Sequence, residues 1–173
     1  MLSLEPGGRN FNDKMQATFS VEWAILGGVI GSMVMAIWAM MVSLISGKGF
    51  WVPVQLIAAT WFGPQAMMHM TVRIIVVGLI THMMVGAMFG LVLAGLFVAF
   101  RIRSGPSRLL WGIGCAIGIW IVNQYAILPT IDPMMATHMS PWAFALGHRM
   151  FGVNTATFFL NPIMSQQTFS SAH

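Results

Sequence analysis

The sequence predicts an all-α integral membrane protein: a bundle of four transmembrane helices, both termini cytoplasmic, with a short interfacial helix in the first outward loop. Three observations predict it. Hydrophobic residues make up 57% of the 173-residue chain and charged residues 7%, where a soluble domain carries about 25% charged. Four apolar runs, Trp23–Ile45, Ile74–Phe100, Leu109–Ile127 and Pro141–Leu160, each have the ~20 residues that a helix needs to cross the hydrocarbon core. The basic residues are asymmetric. Arg9 and Lys14 precede the first run and Arg101, Arg103 and Arg108 crowd the connection between the second and third, whereas the other two connections hold only Lys48 and Arg73. The positive-inside rule puts the termini and the 101–108 loop in the cytoplasm and turns loops 46–73 and 128–140 outward. One membrane domain, residues 21–161, fills the chain between an N-terminal arm, 1–20, and a tail, 162–173.

The arm is polar and holds Glu5 and Asp13, unlike the apolar core of a secretory signal, so the first span is expected to remain as an anchor. Span one carries Gly27, Gly28, Gly31 and Ser32, and small residues four apart let another helix approach closely. Gly86 and Gly90 in span two, Gly114 and Gly118 in span three and Gly152 in span four read the same way. The first outward loop is punctuated by Gly47, Gly49, Pro53, Gly63 and Pro64. Residues 54–62 between the prolines are too few to span. They predict a helix at the interface with Trp51 and Trp61 at headgroup level, or else a re-entrant segment buried against the bundle. Ser140 and Pro141 mark an N-cap and first turn for span four, and Pro162 disfavours helix at Asn161. The two halves resemble each other: His82-x3-Gly86-x3-Gly90 in span two is matched by His148-x3-Gly152-x3-Ala156 in span four. If duplicated, they are parallel repeats about an axis along the membrane normal.

Ionisable groups inside spans are costly and mark functional candidates. His82 and His148 come first, each with a small residue four positions on. Two histidines at matching depth could ligate a b-type haem or hold a metal, or could hydrogen-bond across helices as packing. The outward Met/His clusters come second: Met67, Met68, His69 and Met70, and Met134, Met135, His138 and Met139. Thioethers and imidazoles suit copper, Cu(I) above all. Against that, the chain has 17 methionines, and methionine commonly fills gaps in packing. Arg149 in span four could snorkel outward, pair with Asp132, or meet a lipid phosphate or a partner's carboxylate, and Glu22 complements the start of span one. Cys115 is alone, so no disulfide forms within the chain.

Paired carboxylates within the bundle, a Ser-His-Asp set, a P-loop and GxGxxG opening a helix are all absent from the sequence. Asn123 and Gln124 are the amides near the end of span three. The arginines mark a membrane edge, not a nucleic-acid surface. The stretch Gly47-x-Gly49-Phe50-Trp51-x-Pro53 with Ile57-Ala58-Ala59-Thr60, together with His82-x3-Gly86, Leu128-Pro129-x2-Asp132-Pro133 and His148-x2-Phe151-Gly152, resembles small uncharacterised bacterial inner-membrane proteins with four helices. The resemblance implies the fold and a prokaryotic inner membrane, with no activity to carry over. The leading expectation is a non-catalytic accessory subunit of a larger membrane complex, in electron transfer or respiration, with the lipid bilayer and other membrane subunits as partners. Two alternatives stand beside it: a copper-handling protein using the outward Met/His clusters, and a haem b electron-transfer protein using His82 and His148.

Overall fold

A computed structural model describes residues 21–102 and 104–158. The expectations for the arm, the tail and Arg103 lie outside these residues. The described chain is helical, with no strand. Helix α1 is Val21–Ile45, α2 Val52–Phe62, α3 Gln65–Met68 and α4 Val72–Ala99. Helix α5 is Gly105–Val122, followed by a π-helical turn, Asn123–Ile127, then α6 Leu128–Ile131, α7 Pro133–His138 and α8 Pro141–Phe158.

Three of these helices are long and apolar enough to cross a membrane: Val21–Ile45, Val72–Ala99 and the continuous stretch Gly105–Ile131. The third runs four residues beyond the expected end at Ile127. Pro129 has no N–H to continue the ladder and its ring crowds the preceding turn. The chain widens there, and the Leu128 N–H reaches back five residues to Asn123 O. The fourth expected span is α8. Its 18 residues rise about 27 Å, but His148, Arg149, Asn154 and Thr155 make it the least apolar of the long helices.

Packing sets the order α4, α1, α8, α5 around the bundle. Helix α1 packs along α4 on one side and α8 on the other, and α5 packs on α8. Sequence neighbours α4 and α5 touch only slightly, so the bundle is open between them. Two of its close contacts are built alike. A Cβ added at Gly28 of α1 would strike Gly86 O and the Gly90 Cα of α4. One added at Gly112 of α5 would meet Ala156 Cβ and Gly152 O of α8, at 2.8 and 2.9 Å. Gly86 faces Ser32 as Gly152 faces Ala116. The pairs α1–α4 and α5–α8 therefore meet through corresponding residues. Gly27 and Gly31 admit Phe158, Thr155 and Phe151 of α8. Gly114 and Gly118 of α5 have no neighbour within 4 Å of such a Cβ, and the same is true of Gly95 in α4.

The α1–α2 connection and α7 share one end of the bundle, here called the upper end, where Lys48 Nζ donates to His138 O at 2.8 Å. At that end α2 is packed into the bundle. Pro53, Val54, Gln55, Leu56, Ala58 and Ala59 are buried, and Gly78 of α4 opens a place for the Val54 backbone. This corrects the interfacial placement in favour of the alternative form, a segment buried against the bundle. The cause is that α2 is apolar on nearly every side and has a glycine to sit on. Gly63 ends it with φ 61, the left-handed region. Trp61 remains exposed and donates through Nε1 to Thr81 Oγ1 at 3.0 Å.

Candidate functional site

Most of the buried polar side chains lie toward the upper end of the bundle, and Thr155 of α8, which donates to Gly27 O of α1 at 3.4 Å, lies lower. His82 stands on α4, and its Nε2–H donates to the Ser32 carbonyl of α1 at 2.9 Å. A carbonyl only accepts, so Nε2 carries a proton, and in the neutral form of the ring the lone pair is on Nδ1. His148 stands on α8, 4% exposed. Its Nδ1–H donates to Phe144 O at 3.0 Å, one turn back on its own helix, which puts the lone pair on Nε2. The ring of Phe144 meets it edge to face at 4.5 Å between centroids. The two histidines stand on the helices that pack against opposite flanks of α1.

Beside His82 is a cavity of about 20 Å³ between α1, α2, α4, α7 and α8. Met35, Met135, Met139 and Phe144 line it together with His82. A porphyrin does not fit there, since the space accommodates an object about the size of one water.

The structure divides the two Met/His clusters. Met68, His69 and Met70 are exposed at the upper surface. His138 is exposed as well, with Nδ1–H donating to Met134 O at 2.9 Å. Met67, Met134, Met135 and Met139 pack instead around one apolar cluster with Met35, Leu56, Ala116, Phe144 and Phe151. No group of three or more His, Cys, Asp or Glu side chains gathers among the described residues.

Asp132 is 4% exposed and does not pair with Arg149. Its Oδ1 accepts from the Met135 N–H at 2.9 Å, capping α7, and its Oδ2 accepts from Thr60 Oγ1 of α2 at 3.0 Å. Arg149 is exposed on the outer face of α8. Gln124, 6% exposed, donates through Nε2 to Ala136 O at 3.3 Å. Its Oε1 and the Nε1 of Trp120, one turn earlier, are buried and have no hydrogen-bond partner among the described residues.

Sequence reasoning singled out His82, Met135 and Met139 but in different groupings, and it missed Met35. One signal was legible: Ser32, four residues after Gly28, is the small residue that brings a backbone carbonyl within reach of His82. Comparison with family models, with curated proteins and with solved structures gives no match for this chain.

Proposed function

We propose that this chain is a non-catalytic subunit of a larger membrane assembly, crossing the membrane four times with both termini on the cytoplasmic side. Helix α8 supports the fourth crossing. Its Phe151 and Thr155 lie against Gly31 of α1, so it occupies the same depth as a helix that is apolar enough to span. The observation that carries the subunit reading is Arg149. It is exposed, eight residues along α8, and no ion pair within the described chain neutralises it. A guanidinium facing lipid at that depth costs several kcal/mol unless it finds a counter-charge. A carboxylate on a neighbouring subunit supplies one. Gly114 and Gly118 give a second approach, because a helix face of small residues with open space beside it accepts another helix closely.

We place the assembly in electron transfer or respiration in a prokaryotic inner membrane, supported by the methionine- and histidine-rich upper half. Native mass spectrometry on material extracted gently from its own membranes tests both parts. A large assembly containing a redox subunit is expected, and Arg149→Leu should release this chain from it. A homogeneous single-chain particle would overturn the subunit reading. An assembly with no redox centre would overturn its placement in electron transfer.

A further inference from the structure

The cavity beside His82 carries an inference that is independent of any assembly. Its walls bring together residues that the sequence keeps apart: Met35 on α1, Met135 and Met139 at α7, and His82 on α4. Methionine used as a filler closes space. Here three methionines surround about 20 Å³ that stays open. A water held there would need two to four polar partners, and apart from one imidazole the side chains at the cavity are apolar.

We propose that this cavity is a binding site for one Cu(I) ion, held by His82 Nδ1 and the thioether sulfurs of Met35, Met135 and Met139. Three arguments support it. Thioether and imidazole are the donor set that suits soft Cu(I). His82 is prepared as a ligand, since its Nε2–H is held by Ser32 O, and metal-ligating histidines are typically oriented through the other ring nitrogen in this manner. All four donors are neutral in the tautomer that hydrogen bond sets, so binding displaces no proton and leaves a net single charge in an apolar surround. The Born penalty grows as the square of the charge, which makes a divalent ion about four times as costly to bury. The site therefore selects monovalent copper over zinc. It differs from the surface clusters, because Met68, His69 and Met70 take no part.

The test is an anaerobic titration of the purified full-length protein with Cu(I) against a chromophoric Cu(I) chelator, with Ag(I) as a second probe read by native mass. One ion per chain is expected, and Zn(II) should not compete. The triple variant Met35→Leu, Met135→Leu, Met139→Leu keeps side-chain volume. It should bind at least about tenfold more weakly, as should His82→Gln, a loss in the range seen when a metal site's support is removed. Circular dichroism checks that the helices persist. The surface variant Met68→Leu, His69→Ala, Met70→Leu should keep wild-type affinity. The proposal is overturned if the wild type takes up neither ion, if the folded triple variant binds as well as the wild type, if the surface variant is the one that loses the metal, or if Zn(II) competes equally. None of these outcomes depends on whether the chain belongs to an assembly.

Discussion

Gly86 and Gly95 lie on the same helix and should respond in opposite ways to one methyl group. A Cβ at Gly86 would run into the Ser32 side chain and Gly28 O, while Gly95 has nothing within 4 Å. Gly86→Ala should therefore destabilise the protein by about 1–3 kcal/mol, the usual cost of overpacking. Gly95→Ala should stabilise it by about 0.5–1 kcal/mol, because alanine loses less backbone freedom in a helix interior. Thermal unfolding in one detergent compares the two, and equal effects would sink the packing argument. Asp132 offers a second contrast. Asp132→Ala removes the acceptors for the Met135 N–H and Thr60 Oγ1 and should cost about 1–3 kcal/mol. Asp132→Asn keeps the cap through its Oδ1, and its amide can donate to the threonine hydroxyl, so most of that loss should not appear.

At the scale of elements, α2 decides how the upper end is closed. It is seated by Gly78, where a Cβ would meet the Val54 carbonyl. Gly78→Leu should lift α2 away and leave the long helices in place. Ala58 is fully buried. A cysteine placed there in a Cys115→Ala background should react slowly with a maleimide, and much faster once Gly78→Leu is added. An unchanged rate would show that α2 does not depend on that contact. Much of this level was legible in the sequence. The apolar runs located the long helices, whereas the caps that Asp132, Ser104 and Thr71 form on α7, α5 and α4 emerged only in the structure. Whether α2 lies on the bundle or in it was not legible. An eleven-residue helix that is apolar on most sides has no single face to declare its partner.

The opening between α4 and α5 shapes the behaviour of the whole molecule. Three of the four lateral contacts around the bundle are close and the fourth is slight, which leaves α5 with one well-packed neighbour, α8. If a partner helix covers Gly114 and Gly118, the double variant Gly114→Leu, Gly118→Leu should reduce assembly and leave the isolated chain as stable as before, since neither glycine touches its own bundle. Loss of monomer stability would contradict that view. Topology is testable in a Cys115→Ala background with an impermeant thiol reagent on intact cells. Cysteines at Lys48 and Thr137 should label from outside, and one at Ser107 only after permeabilisation. Labelling of Ser107 from outside would overturn the four-span orientation.

The sequence by itself determined that the chain is helical and suited to a membrane, and where its long helices lie. These are local matters, since hydropathy over about twenty residues and a proline or a cap within one turn are enough to decide them. The tertiary structure alone decided that α1 is central, that α4 and α5 stand apart although they adjoin in sequence, and that Met35, His82, Met135 and Met139 share one cavity. Helix rotation and neighbour choice depend on how several helices pack at once. That is why residues 35, 82, 135 and 139 meet in space without any spacing in the chain to announce it.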